Sequence, residues 1–581
     1  MTNDATTLRD RPRAPAAALP VRMACGIAAV CAGLAAGELA AALVRPQAAP
    51  VVAIGSAAID LAPTAVKEWA VRSFGTWDKT VLLIGIHTTM GVTAAVLGPL
   101  AAARRATGVL LSTAFGGLGV WAALARPDAT TWDALPSAAA ALVCAAVLLL
   151  LTAPRTARRA ARQAARQAAR QAARQAAGRT ARRAAQPDGR PAGPGPRQNA
   201  GTDGTVAPGD RPALAADEPP PVPHAHPGRR SALTAGAVVL LSAGLGSAGR
   251  HLADRRNDVS AARASLTLPR PARPLPPPPP RAGPAIPGLP PLRTPVEDFY
   301  RVDTALTLPR IDPRDWTLRI HGMVDHPFEL SFADLLAQPL EELDHTLSCV
   351  SGEVGGPYAG TTRWLGAPLP ALLRRAGVRA GADQLLGRSK DGMTIGTPLE
   401  CVLDGRAALL AVAMDGAPLP VAHGFPCRSV VPGLYGYTSA TKWLVDLEVT
   451  TFAARDPYWV RRGWDRTGEV RTASRIDVPA AFARVPAGEV VVAGTAWATH
   501  RGIAAVEVRV DGGPWQEARL AADAGPDVWR QWHHTWTAAA PGTHRLEVRA
   551  TDATGAVQEE TRRPPFPSGA TGWHSTVVTV H

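Results

Sequence analysis

The chain is poor in the residues that build most redox and metal sites. Its 581 residues hold six cysteines, Cys25, Cys31, Cys144, Cys349, Cys401 and Cys427, and no CxxC pair. That absence leaves zinc ribbons, thioredoxin-like motifs and c-type haem attachment without support. Six cysteines in a chain this long are not a disulfide framework either. Nothing has the pattern of a helix-turn-helix, a zinc finger or another nucleic-acid module, so no nucleic-acid partner is expected. His87 is the only histidine in the long apolar runs, which argues against a b-type haem held by paired intramembrane histidines.

What is abundant is alanine, arginine, proline and glycine, with a formal charge of +14. Much of that charge lies between Arg155 and Arg190, directly after a cluster of apolar segments, which favours a membrane surface as the partner of the basic block. A hydrocarbon core of roughly 30 Å needs about 20 apolar residues in a helix. Segments 23–44, 81–103, 107–125 and 134–153 meet that length, and a further one, 232–249, follows a long polar stretch. Segment 51–66 is interrupted by Asp60 and followed by Lys67 and Glu68, and is read as re-entrant or interfacial. Arg9, Arg11, Arg13 and Arg22 put the N-terminus inside, and Arg104 and Arg105 fall inside after two spans. With four spans the arginine block is also inside. The later span then crosses outward and leaves everything after Arg250 extracytoplasmic.

Residues 160–177 repeat A-R-Q-A, a strong helix former with arginines at i, i+4 spacing. Two readings stand: a solvated spacer helix, or a juxtamembrane helix lying on anionic lipid, where each basic residue near the surface contributes about 1 kcal/mol. Residues 186–227, rich in Pro, Gly, Asp and Ala, are expected to be a disordered linker. The entry to the later span, Gly228-Arg229-Arg230-Ser231-Ala232-Leu233, has the form of a twin-arginine export signal placed internally, though two arginines there also satisfy the positive-inside rule. The stretch 268–293, with Pro276–Pro280, is expected to be an extended spacer holding the following domain away from the bilayer.

From Thr294 the pattern changes to strand-like runs such as 316–324 and short helical patterns such as 331–336 and 367–376, an α+β mixture. Its motifs come in a definite order: Phe299-Tyr300-Arg301-Val302-Asp303, Trp316-Thr317-Leu318-Arg319-Ile320-His321-Gly322, Thr346-Leu347-Ser348-Cys349-Val350-Ser351, Trp364-Leu365-Gly366-Ala367-Pro368-Leu369, His423-Gly424-Phe425-Pro426-Cys427-Arg428, and Val431-Pro432-Gly433-Leu434-Tyr435-Gly436 running to Lys442-Trp443. Order and spacing together resemble the molybdopterin-binding domain of the sulfite oxidase family over about 294–454. Residues 475–581 read as all-β, with short strands at 490–497, 505–510, 532–536 and 544–550 and turn signals at Asp511-Gly512-Gly513 and Thr554-Gly555. Strands such as these, about seven in roughly a hundred residues, suggest an immunoglobulin-like sandwich. Gly494-Thr495-Ala496-Trp497 and Trp529-Arg530-Gln531-Trp532 resemble the family's dimerisation domain, which implies a homodimer.

The expected architecture is therefore an α-helical multi-span membrane region (1–154), a basic helix and linker (155–228), a transmembrane helix (229–252), a Pro-rich linker (253–293), an α+β molybdopterin domain (294–455) and an immunoglobulin-like sandwich (475–581). The resemblance makes Cys349 the thiolate ligand of molybdenum, a metal that soft sulfur donors suit. The residue alone would also fit a buried structural thiol or a disulfide with Cys401 or Cys427. The resemblance further assigns the molybdopterin contacts to Tyr300, Arg301, His423, Arg428 and the segment holding Ser439, Thr441 and Lys442, with Arg428 as the fork for its phosphate. Asp303 falls beside the cofactor, as a contact or as an organiser of its loop.

Two departures bear on the substrate. The turn after the ligand cysteine, Ser351-Gly352-Glu353-Val354-Gly355-Gly356, carries no cation, and Val412 stands where a tyrosine is expected. A sulfite site needs clustered cations. Without them a neutral or less charged oxo donor or acceptor, such as a sulfoxide, competes with sulfite. The expected activity is two-electron oxo transfer on a small molecule at an extracytoplasmic site of the cell membrane, with electrons passed to a separate cytochrome or quinone. The other readings are an exported binding or scaffold module that keeps the fold, and, more weakly, a transporter built on the first four spans.

Overall fold

The computed structural model describes residues 18–74, 77–152, 227–538 and 540–581. The repeat at 160–177, and the linker at 186–227 but for its last residue, lie outside them. The chain divides into two compact units: Met1–Ala36, Thr88–Gly116 and Ala139–Gly246 in one, Gly37–His87, Gly117–Ala138 and Ser247–His581 in the other.

Among the described residues, the longer helices ahead of the strands are α1 (Ala18–Leu43), α2 (Pro50–Leu61), α3 (Thr64–Phe74), α4 (Asp78–Ala103), α5 (Arg105–Leu124), α6 (Ala134–Thr152) and α7 (Pro227–Arg256), and a one-turn helix, Ser260–Ala264, follows. Among the described residues five stretches, falling on α1, α4, α5, α6 and α7, are long and apolar enough to cross a membrane. Helix α2, with 12 residues, rises only about 18 Å, short of a span. The chain breaks at Ala62–Pro63, and the more polar α3 follows. In the first unit Gly26 of α1 and Gly98 of α4 meet backbone to backbone, leaving no room for a Cβ at either. Small residues of this kind let apolar helices approach closely. Around them Ala29, Leu97, Ala101, Cys144 and Leu148 form a buried cluster.

In the second unit Arg45 ties the end of α1 to Asp128 at 2.9 Å and to the fully buried Asp133. Its α+β part holds two sheets. One has the order β2-β1-β10-β5-β6, from β1 (Thr317–Gly322), β2 (Phe328–Ser331), β5 (Gln384–Ser389), β6 (Thr394–Pro398) and β10 (Leu444–Thr450). Only β1 and β10 run parallel there. The other is antiparallel, β3 (Glu341–Ser348), β4 (Ala359–Pro368), β7 (Leu409–Met414) and β8 (Ala417–Pro418), with β9 (Arg428–Val430) on β7. Burial alternates along β1, as a half-buried strand requires, whereas β7 is buried throughout. The short helix Phe332–Leu336 starts on a capping box between Ser331 and Asp334. Helix Leu369–Ala376 stops at Gly377, whose φ of 71° is the left-handed cap. Trp316, Leu318, Ile320, Leu373 and Leu447 are among the buried centre of this part.

The C-terminal part is two further sheets sharing one apolar interior. The first has the order β11-β13-β17-β16, from β11 (Ala473–Val478), β13 (Gly488–Trp497), β16 (Arg519–Leu520) and β17 (Arg530–Ala538). The second has the order β12-β19-β18-β14-β15, from β12 (Arg484–Val485), β14 (Ile503–Val510), β15 (Gln516–Glu517), β18 (Gly542–Asp552) and β19 (His574–Val580). Val492, Trp532, Val506, Val548 and Val578 fill the space they share.

The Pro-rich stretch is not a free spacer. The Ala272 N–H donates to the Leu340 carbonyl at 2.7 Å, and Arg363 donates to the carbonyls of Leu275 and Pro276 at 3.0 and 2.8 Å. Further on, Gln531 donates to the Pro290 carbonyl and Trp529 to that of Leu292, at 2.5 and 2.8 Å. An extended polyproline backbone forms no internal hydrogen bonds, so its carbonyls are free to accept from side chains. The stretch is thereby laid across the α+β part and onto β17.

Candidate active site

Strand β3 pairs with β4 along its length, ending at Ser348 opposite Ala359. The chain then turns. The Cys349 N–H donates to the Tyr358 carbonyl at 2.9 Å, and the Gly352 N–H to the Cys349 carbonyl at 3.1 Å. This turn delivers Cys349 to the wall of a cavity of about 1420 Å³, counting the space at its mouth. All six cysteines are free, so a disulfide with Cys401 or Cys427 is excluded. The Cys349 thiol is 3.0 Å from the Ser351 hydroxyl. Burial raises its pKa, while the Ser351 hydrogen bond and the Lys442 charge oppose the rise.

Of the residues expected at the site, Tyr300, Asp303, Cys349, His423, Arg428, Thr441 and Lys442 all line this cavity. Phe299 stacks on Tyr300 with centroids 5.3 Å apart and meets Trp364 and His423 edge-on. These rings form an apolar bed. Ser439 is not on the wall: its buried hydroxyl donates to the carbonyls of Leu434 and Tyr435. It shapes the turn that brings Thr441 and Lys442 round. Arg301 is also off the wall, its guanidinium spent on Asp303 at 2.8 Å. Val412 lies inside β7 and is fully buried, away from the cavity, so its difference from tyrosine changes no wall residue.

Charge in the cavity is out of balance. Asp303 receives Lys442 at 2.7 Å, Lys79 at 2.5 Å and Arg301. Burial alone would raise its pKa, but these three cations hold it well below the usual carboxylate range. Arg428 is different. It enters from β9, buried to 3% exposure, with its guanidinium 4.9 Å over the Trp364 ring. One Nη donates to the His423 carbonyl at 3.2 Å, the Nε has no partner, and among the described residues no carboxylate pairs with it. Burial brings its pKa down to about 10. A buried cation without a counter-charge is costly, and an anionic group of a ligand would offset that cost. Burial likewise lowers Lys442 to about 8, against the pull of Asp303. A thiol, a fork-shaped cation, a lysine and a tyrosine on one wall suit a ligand with a soft metal and a phosphate.

Several wall residues escaped the sequence reading. Lys67 comes from α3, and Asp391, Trp459, Trp464, Pro564 and Pro565 from loops. Lys79, at the start of α4, reaches the site through Asp303. No motif marks them, because each is brought in by tertiary packing.

Residues 305–459 match the family described as the oxidoreductase molybdopterin binding domain. The chain is 35% identical over 158 residues to an uncharacterized oxidoreductase, YuiH, of Bacillus subtilis, covering 27% of this chain and 76% of that one. It is 30% identical over 333 residues to the sulfite oxidase of Gallus gallus, covering 48% of this chain and 72% of that one. Among solved structures it is similar to the sulfane dehydrogenase SoxCD of Paracoccus pantotrophus, at 24% identity and a TM-score of 0.42 over 50% of this chain and 83% of that one. By its identity to the sulfite oxidase of Gallus gallus and its match to the molybdopterin-binding family, the chain belongs to the sulfite oxidase family of molybdopterin-dependent oxidoreductases, and its cofactor is molybdenum–molybdopterin.

Proposed function

We propose that the protein is a membrane-anchored enzyme of this family that carries out two-electron oxo transfer on a small molecule at an extracytoplasmic site. The observation that carries this reading is that Cys349 and the unpaired Arg428 share one cavity wall. In it, Cys349 Sγ is the metal ligand, Arg428 and Lys442 hold the phosphate and pterin oxygens, and His423, Tyr300 and Thr441 complete the cradle. Asp303, Arg301 and Ser439 position these groups. When bound, the cofactor supplies the centre that exchanges an oxo group and two electrons.

The chain's own groups then manage protons and water. Burial lifts the Tyr300 pKa well above its ordinary value, so its phenol keeps its proton and donates. The Asp391 carboxyl on the same wall is raised above its ordinary pKa by burial, against the hydrogen bonds from Ser389 and Met393. The aromatic bed of Phe299, Tyr300 and Trp364 excludes water from that side.

The five long apolar helices and their arginine flanks support anchoring, with residues 294–581 outside the membrane. Arg229 and Arg230, in the first turn of α7, support export of a folded, loaded domain by the twin-arginine route. The region 294–455 is the catalytic domain. The two-sheet part, 475–581, is an immunoglobulin-like dimerisation module, and electrons leave to a separate cytochrome or quinone.

The test is elemental analysis and pterin fluorescence of the detergent-solubilised full chain beside a Cys349→Ala variant. Near one molybdenum per chain, with oxo-transfer activity lost in the variant, is expected. A chain without metal or pterin, made in a host that synthesises the cofactor, would overturn the reading in favour of a binding module.

A further inference from the structure

We propose that Lys67, a residue of the helical region rather than of the molybdopterin domain, is the substrate-binding cation of this cavity, and that the substrate is therefore a small oxyanion. The inference rests on the function proposed above and specifies its substrate class. The turn at 351–356 has no basic residue, so the motif around the cysteine offers an anion nothing. Among the described residues the cavity wall nonetheless carries three cations, Lys67, Arg428 and Lys442. Arg428 is pinned on the Trp364 ring and Lys442 on Asp303. With Arg428 and Lys442 assigned above to the cofactor, Lys67 is the wall cation left for a substrate.

Its ammonium donates to the Tyr458 hydroxyl at 3.3 Å, and that hydroxyl donates onward to Asp60 at 2.8 Å. Among the described residues no carboxylate pairs with Lys67 directly. An ammonium has three donors, and this chain of bonds uses one. Arg462 closes the arrangement, its guanidinium 3.5 Å over the Tyr458 ring and donating to the Asp60 carbonyl at 3.0 Å. Burial first, then Arg462, brings the Lys67 pKa down to about 8 against the opposing pull of Asp60, as for a cation short of a counter-anion. A second donor lies on the same wall: the Trp464 indole is buried, and its N–H has no acceptor among the described residues. The cation missing from the cysteine turn is thus replaced from α3, a segment far away in sequence.

The test uses the full-length holoprotein in detergent with sulfate, an inert oxyanion, as the probe. Sulfate binding is measured by calorimetry in the wild type, Lys67→Gln and Lys67→Arg. Sulfate should bind the wild type, bind the glutamine variant at least tenfold more weakly, and bind the arginine variant within about threefold of wild type. In the wild type, sulfate should also shield Lys67 from an amine-acylating reagent, read by mass spectrometry, which does not depend on any variant folding. Sulfate that fails to bind, or that binds Lys67→Gln as well as wild type and leaves Lys67 unshielded, would overturn the proposal. Molybdenum and pterin content, measured on the same samples, separates this failure from failure of the functional reading.

Discussion

Lys442 meets the Asp303 carboxylate at 2.7 Å, and on its other oxygen the same carboxylate holds Lys79 of α4 at 2.5 Å. One acidic side chain, 6% exposed, thereby joins an apolar helix to the cavity wall. Asp303→Asn leaves three cations facing each other without their shared anion. Removing one partner of a buried ion pair costs about 3–5 kcal/mol. The variant is expected to melt earlier than wild type and to retain less pterin, read by differential scanning fluorimetry and pterin fluorescence. Unchanged melting with full cofactor would show that the three cations do not depend on Asp303.

Arg428 gives a prediction of opposite sign in the two forms of the protein. Without cofactor its guanidinium is a buried charge with, among the described residues, one hydrogen bond and no carboxylate. Arg428→Met keeps the side-chain length and removes the charge. The cofactor-free variant should be more stable than cofactor-free wild type by about 1–3 kcal/mol, because a buried charge is no longer desolvated. The same variant, made in a cofactor-producing host, should lose most of its pterin. Denaturant titration of the two apo proteins and pterin fluorescence of the two holo proteins check both halves.

Much of the site was legible in the sequence because its residues sit in contiguous motifs on adjacent strand ends. Cys349 follows β3 and Arg428 opens β9, and each motif carries its own turn. The apolar helices were equally legible, since length and composition decide them. Three things were not. Lys67 and Lys79 reach the cavity from the helical region, more than 200 residues away, and nothing local marks a residue for such a contact. The Pro-rich stretch has the composition of a spacer, but its free carbonyls found Arg363 and Gln531. Ser439 sits between site residues in the chain, yet its hydroxyl turns to backbone carbonyls.

Cys349→Ser tests the ligand assignment at the level of chemistry. A serine hydroxyl is a hard donor with a much higher pKa than a thiol and is a poor substitute at a soft metal site. The cradle of Arg428, Lys442 and Tyr300 is untouched by the change. Pterin content should stay within about twofold of wild type, while oxo-transfer turnover falls by at least a hundredfold on the order expected for loss of a metal ligand. Full turnover in the serine protein would remove Cys349 from the metal.

Two of the histidines whose pKa burial lowers, His345 and His574, contribute to the acid side of stability. His345 donates through Nδ1 to the Asp527 carbonyl at 3.3 Å, and burial brings its pKa down to about 4. His574 on β19 accepts the Ile476 N–H on Nδ1 at 3.0 Å, and burial, with Arg475 and Arg562 nearby, brings it to about 4 as well. Both are neutral when folded and take up a proton near pH 6.5 when unfolded. The unfolded state therefore binds more protons between pH 6.5 and 4, and stability falls as pH falls through that window, by about 1.4 kcal/mol per pH unit for each histidine. The effect is absent above pH 6.5 and levels off below pH 4. His574→Asn keeps an acceptor for the Ile476 N–H but cannot be protonated there. Between pH 6.5 and 5 its unfolding free energy, measured by denaturant titration, should depend on pH less steeply than that of wild type by one proton's worth. Equal slopes for the two proteins would mean that His574 already carries its proton in the folded state.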